Sequence, residues 1–102
     1  MAGKTMNQKV ESEKNIRLIQ DWLIEKIANM EQLDPASIDV QEPLANYGLS
    51  SMAALTLSGD IETWLNCELE PTLVWDYPSV EQLSHYLAQE VIGPNGAVTT
   101  VN

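Results

Sequence analysis

Basic residues, cysteine and long apolar runs are all scarce in this chain of 102 residues. Five Lys and Arg stand against fifteen Asp and Glu, which gives a formal net charge of −10. Phosphate backbones and anionic lipid headgroups are bound through Lys and Arg, so this balance argues against a nucleic-acid partner and a membrane surface. The single cysteine, Cys67, excludes an internal disulfide and suits a reducing compartment. No apolar run approaches the roughly 20 residues that span a bilayer.

Signals for secretion and for catalysis are missing as well. The N-terminal sequence MAGKTMNQKVESEK lacks the apolar stretch of a secretory signal, so we expect a cytoplasmic protein. The chain has one histidine, His85, and contains no HExxH, CxxC or P-loop pattern. We therefore expect neither a metal site nor catalytic activity.

The charges that are present are unevenly distributed. All five cations precede residue 27, where four acids accompany them, whereas residues 27–102 carry eleven acids and no Lys or Arg. A field of one sign speeds encounter with a basic partner surface. Acidity also keeps a small protein soluble, and charge alone does not separate these two interpretations.

Apolar residues recur at helical spacing in three long segments, which predicts helices over 12–30, 51–66 and 79–92. Ser79 and Gln82 form a capping-box pattern at the start of the last one. Gly59 interrupts the second helix, and we expect it to permit close packing there. The side chains that these patterns predict to be buried are Ile16, Ile19, Leu23, Ile27 and Met30, then Ala54, Leu57, Ile61 and Trp64, then Val80, Leu83, Leu87 and Val91.

Between these segments lie two irregular connections. Residues 39–50 form a loop whose apolar members predict that it is pinned to the core, and a short helix is expected near 72–75. Without strand-like alternation, the pattern predicts an all-α protein, a small helical bundle. We expect a flexible segment over 1–11, one folded domain over 12–92 and a flexible tail over 93–102.

The most informative stretch is YGLSSM at residues 47–52, because it places a serine at the start of a helix. The simplest interpretation is that Ser51 is a helix N-cap. A helix N-terminus is also a favourable place for a phosphate group, so Ser51 could carry a phosphodiester with little strain. No base is adjacent in sequence, and His85 lies far along the chain. This pattern favours an attachment point over a nucleophile.

The same stretch resembles the (Y/L)-G-x-D-S-(L/M) motif of acyl carrier proteins. The resemblance continues in order through LDP at 33–35, IDVQEPL at 38–44 and PTLVWDYPSV at 71–80, the last being typical of polyketide synthase carrier domains. It covers about residues 15–90. It implies a four-helix bundle with a short third helix near 72–75. It also implies a 4′-phosphopantetheine arm on Ser51 that holds an acyl group as a thioester.

The resemblance implies partners too. A phosphopantetheinyl transferase would supply the arm from coenzyme A, and an acyl-loading enzyme such as a fatty acyl-AMP ligase would charge it. A polyketide synthase or tailoring enzymes would then use the cargo, and the carrier itself is expected to be a monomer. Two alternatives stay open at this point: a peptidyl carrier of nonribosomal peptide synthesis, and an unmodified helical interaction module in which Ser51 is a plain cap.

Two departures from the family pattern bear on partner recognition. Ser50 stands where the family usually has Asp, although the spacing from Gly48 still favours Ser51 as the modified residue. The second helix carries only Asp60 and Glu62 as acids, so docking is expected to depend more on apolar groups. The residues predicted to form the docking surface are Leu49, Ser50, Met52, Ala53, Asp60, Trp75 and Asp76.

Overall fold

The computed structural model describes residues 2–93 and 96, with side chains described from Ser12 onward. Within that part the chain forms helices and loops and no strand. None of the helices described there is long and apolar enough to cross a bilayer. The predicted all-α, four-helix architecture is confirmed. Its helices are α1 (Ala2–Glu31), α2 (Ser51–Leu65), α3 (Leu73–Asp76) and α4 (Val80–Tyr86), and α4 continues as a π-helical segment, Leu87–Ile92.

The first helix is longer than its apolar pattern predicts. It begins at Ala2, so the predicted start at Ser12 is wrong. Most of the added residues are good helix formers such as Lys, Gln, Glu and Met, and a helix that is already nucleated extends at low cost. Of the predicted C-terminal tail, Gly93 and Gly96 lie within the described residues, and the remaining positions lie outside them.

Three apolar stripes meet in the centre of the bundle, where α1 packs along α4 and its π-helical continuation and α2 contacts both α1 and α3. The ends of the predicted stripes (Ile16, Met30, Trp64 and Val91) are only partly buried. Their central members are buried as predicted, and these are Ile19, Leu23 and Ile27, then Ala54, Leu57 and Ile61, then Val80, Leu83 and Leu87.

A pair of tryptophans joins α1 to α2. The rings of Trp22 and Trp64 are stacked, with centroids 4.4 Å apart and planes at 4°. The Lys26 ammonium lies 5.3 Å from the Trp22 ring centroid and 3.6 Å from a carboxylate oxygen of Asp60. Aromatic stacking and a cation over the ring each add to the burial of apolar area. These contacts hold the C-terminal half of α2 against α1.

The long loop between α1 and α2 is attached to the core, as its apolar residues predict. It contains two 3-10 turns, Pro35–Ser37 and Leu44–Tyr47, and the side chain of Leu44 is buried. The Leu44 N–H donates to the carbonyl of Pro78 at 2.8 Å, and the Glu81 N–H donates to the carbonyl of Val40 at 2.8 Å. The loop that leads into α2 is thus fixed to the start of α4.

Gly59 has a different environment from the one predicted. A Cβ atom built on Gly59 would meet no atom within 4 Å. The expectation of close packing at this position is therefore wrong. Gly59 lies on the face of α2 that points away from the buried residues Leu57 and Ile61, where a side chain has open space.

Candidate functional site

The chain turns sharply just before α2, and this turn places the candidate serine. Gly48 has φ +87°, a left-handed conformation that L side chains rarely adopt. The side chain of the preceding residue, Tyr47, is fixed to the loop, because its hydroxyl accepts a 2.7 Å hydrogen bond from the Asp39 N–H. The left-handed backbone of Gly48 and the anchored ring of Tyr47 together set the direction in which the chain enters α2.

Two adjacent serines have separate roles at this helix terminus. Ser50 has extended backbone angles and is the N-cap, since its hydroxyl oxygen accepts a 3.1 Å hydrogen bond from the Ala53 N–H. Ser51 is the first residue of α2, and its side chain is exposed. The simple interpretation of Ser51 as the N-cap is therefore wrong, because the residue before it supplies the cap.

The electrostatics around Ser51 suit an anion. The first N–H groups of a helix have no partner within the helix, and they carry partial positive charge. The first turn of α2 contains no acidic residue. A phosphate ester on the Ser51 hydroxyl would lie beside this helix terminus without facing a carboxylate from the same turn.

Large apolar side chains are exposed beside Ser51 on α2, and another is exposed on α3. Met52 is 73% exposed and Leu55 is 44% exposed, and the two lie one turn apart on the same face of α2. Trp75, on α3, is 49% exposed. Leu55 is absent from the predicted docking residues, although its spacing of three from Met52 and its position outside the buried stripe could have identified it.

The remaining predicted docking residues differ in their surroundings. Leu49 and Ala53 are partly buried, and Leu49 packs against the core. Asp76 is exposed and accepts a long 3.5 Å hydrogen bond from the Thr72 hydroxyl. Asp60 lies toward α1, where it pairs with Lys26 at 3.6 Å. The structure thus places Asp60 apart from the apolar face that Met52 and Leu55 share.

The outer face of α2 carries two neutral hydroxyl groups. Thr56 and Thr63 lie on it, and their hydroxyls donate to the backbone carbonyls of Met52 and Gly59 at 3.0 and 3.2 Å. Glu62 is turned to the end of the helix, where its carboxylate accepts a 2.7 Å hydrogen bond from the Leu69 N–H. The two acids of α2 are therefore engaged within the domain.

In the part of the chain that the structure describes, no hydrogen bond joins the Ser51 side chain to a histidine or a carboxylate. His85 lies exposed on α4 and makes no hydrogen bond with Ser51 there. Within the same residues, no group of three His, Cys, Asp or Glu side chains could hold a metal ion.

Comparison with known proteins gives one family model that matches residues 21–87, more than half of the chain, and its description is phosphopantetheine attachment site. The phenolphthiocerol/phthiocerol polyketide synthase of Mycobacterium tuberculosis is 30% identical over 76% of this chain and 4% of its own length. The acyl carrier protein TtuC from Teredinibacter turnerae is 29% identical over 69% of this chain and 80% of its own length. The chain thus spans only a small part of the polyketide synthases that it matches.

Solved structures agree with this family model. A free-standing peptidyl carrier protein from Acinetobacter baumannii superposes with a TM-score of 0.72 at 37% identity, over 76% of this chain and 98% of that one. An acyl carrier protein from Anabaena superposes with a TM-score of 0.69 at 41% identity, over 74% of this chain and 85% of that one. The Anabaena protein is described as having a variant phosphopantetheinylation-site sequence.

Proposed function

The chain belongs to the phosphopantetheine-attachment family of carrier domains, and on that premise we propose that Ser51 bears the arm of an acyl carrier protein. One observation carries the assignment to Ser51. Ser50 satisfies the helix cap, so Ser51 has an exposed hydroxyl at the N-terminus of α2 that no structural role requires.

Domains of this family carry 4′-phosphopantetheine covalently, and the residues around Ser51 fit that group. In the attachment step, the Ser51 oxygen would form the new ester bond to phosphorus as the phosphoanhydride bond of coenzyme A breaks. Adenosine bisphosphate leaves, and the hydroxyl proton passes to the transferase. When attached, the arm supplies a terminal thiol that carries acyl groups as thioesters. Because the first turn of α2 contains no acidic residue, the phosphodiester would lie beside the partial positive charge of this helix terminus without a nearby carboxylate from the same turn.

The protein is a carrier domain, related to the carrier domains of polyketide synthases. The family is not catalytic by itself, and the surroundings of Ser51 support the same role here. Ser51 is exposed, and among the described residues it has no hydrogen bond to a base, so it is a poor nucleophile but an accessible attachment point. The arm can then present its cargo to several enzymes at high local concentration.

Carrier domains need a phosphopantetheinyl transferase and work with the enzymes of a polyketide synthase. For this chain we propose an acyl-loading enzyme such as a fatty acyl-AMP ligase, followed by a polyketide synthase or tailoring enzymes. Polyketide synthases among its relatives support an acyl cargo. The second candidate is an aminoacyl cargo, because the chain is similar to a peptidyl carrier protein from Acinetobacter baumannii. The Tyr47-Gly48 sequence supports a peptidyl carrier less well than an acyl carrier.

The docking surface that we propose surrounds Ser51 and is mainly apolar. It comprises the predicted Leu49, Ser50, Met52, Ala53, Trp75 and Asp76, to which we add Leu55 because its side chain is exposed one turn from Met52. Met52 is the exposed neighbour of Ser51 in α2, so we expect an enzyme that reaches Ser51 to contact it. Asp60 contributes less, because it is paired with Lys26. Buried apolar side chains dominate binding energy at such interfaces.

The chemistry of the arm also favours a location. A terminal thiol must stay reduced to form thioesters, so we place the protein in a reducing compartment, the cytoplasm. We propose that it works there as a monomer, as the resemblance to acyl carrier proteins implies.

Loading assays test this function. The protein is incubated with coenzyme A, Mg²⁺ and a broad-specificity phosphopantetheinyl transferase, and then with either a fatty acyl-AMP ligase or an amino-acid-activating enzyme. We expect intact mass spectrometry to show one arm and then a fatty acyl group. Aminoacylation alone would favour the peptidyl carrier. If the transferase modifies a control carrier but not this one, the chain is an unmodified interaction module.

A further inference from the structure

A groove of about 530 Å³ opens at the end of α2 that is remote from Ser51. It lies between the loop after α2 and the last helix. Since α2 is 15 residues long, the groove begins roughly 20 Å from Ser51 along the helix axis. Its partly buried members are Cys67, Leu69, Tyr86 and Val91, and its exposed members are Glu68, Glu70 and Glu90.

The carboxylates of this groove have no cation to neutralise them from residues 27–102, which contain no Lys or Arg. In the part of the chain that the structure describes, the salt bridge lies elsewhere, between Lys26 and Asp60. The negative field also acts inside the groove. The pKa of the Tyr86 hydroxyl is raised, mainly because the group is removed from water. Electrostatic interactions with Tyr77, Glu90 and Glu70 raise it further.

The groove combines this charge with an apolar surface. Leu69 and Val91 provide aliphatic contact, and Tyr86, which stacks on Tyr77 with ring centroids 4.3 Å apart, provides an aromatic ring in a fixed position. Lys and Arg side chains have apolar stems and charged tips, so they match a surface of this kind. Carboxylates bind the charged tip, and an aromatic face adds cation–π attraction.

We propose that this groove is a second docking site, which takes a Lys- or Arg-bearing segment of a partner protein. A partner held there leaves Ser51 and its apolar surroundings uncovered, so the arm stays free to move while the carrier remains bound. A second copy of this chain fits the groove less well, because the five cations of its first 26 residues are interspersed with four acids.

The test is a titration of the unmodified protein with a synthetic peptide, acetyl-Arg-Leu-Arg-Leu-amide, followed by amide chemical shifts in NMR. The groove variant is Glu68→Gln with Glu70→Gln and Glu90→Gln. The matched control neutralises three exposed acids of α1, through Glu13→Gln, Asp21→Asn and Glu25→Gln. All six positions are solvent-exposed or partly so, and the amide spectra themselves report that each variant is folded.

We expect saturable shifts that centre on residues 67–70, 86, 90 and 91. The groove variant should bind about tenfold more weakly or worse, and the control variant close to the wild type. Ser51→Ala should bind like the wild type, so the groove is tested independently of the attachment site. Equal weakening in both triple variants, or shifts spread over α1, would overturn the proposal. Self-association of the wild type that the groove variant abolishes would also overturn it, in favour of a second copy as the occupant.

Discussion

The hydroxyl of Ser50 accepts a hydrogen bond from the Ala53 N–H at 3.1 Å, and the next serine, Ser51, stands exposed at the first position of the helix. The cap and the candidate attachment point are thus different residues. We predict that Ser50→Ala lowers the free energy of unfolding by about 1 kcal/mol, because the Ala53 N–H loses its partner. Ser51→Ala should change it by less than about 0.5 kcal/mol. Urea denaturation of both variants measures this difference, and equal losses would place the cap elsewhere.

Leu57 tests the buried face of α2. Its side chain is fully buried at the centre of the bundle. Leu57→Ala should lower the free energy of unfolding by about 2–5 kcal/mol through lost burial and the cavity left behind. The control is Leu55→Ala on the same helix, which removes the same atoms from a side chain that is 44% exposed. A Leu57→Ala protein that unfolds at the wild-type urea concentration would contradict the observed packing of α2.

Gly59 offers a stabilising substitution. A Cβ atom there meets nothing within 4 Å, and the residue lies inside α2 with an unconstrained helical backbone. Gly59→Ala should therefore raise the free energy of unfolding by up to about 1 kcal/mol, since Ala is the better helix former. Thermal unfolding followed by circular dichroism detects the change. A loss of stability would contradict the open space around Gly59, because it would show that an added methyl group is not accommodated there.

The docking surface predicts which side chains control modification by the transferase. Met52→Ala with Leu55→Ala should lower kcat/KM for attachment of the arm by about tenfold, because both exposed side chains lie beside Ser51. Asp60→Asn with Glu62→Gln is the matched control on the same helix, and we expect less than about a twofold change. If removing the two acids slows every partner and truncating Met52 and Leu55 does not, the apolar docking surface is wrong.

Helical periodicity predicted the core well because burial follows spacing directly. The stripes through Ile19, Leu57 and Leu83 are buried as expected. Residues at the ends of a stripe, such as Met30, were predicted less well, since their burial depends on which helix crosses there. The start of α1 was missed for a related reason. Polar helix formers before Ser12 give no apolar stripe, although they extend a helix.

The candidate site was predicted in part. The order of motifs in the sequence indicates the family and locates the candidate site at residues 47–52. The sequence does not show which of the two adjacent serines caps α2, because either serine can be a helix cap. Only backbone geometry separates them, because Ser50 is extended and Ser51 is helical. The pairing of Asp60 with Lys26 and the exposure of Leu55 depend on how α1 and α2 cross. Such tertiary relationships leave no signal in a local pattern.

Attachment of the arm to Ser51 is measured by comparing three forms of the protein. Wild type, Ser50→Ala and Ser51→Ala are each incubated with coenzyme A, Mg²⁺ and a phosphopantetheinyl transferase, and their intact masses are compared. We expect a gain of one phosphopantetheine on the wild type and on Ser50→Ala, and no gain on Ser51→Ala. A gain on Ser51→Ala that is lost in Ser50→Ala would contradict this expectation and move the arm to Ser50.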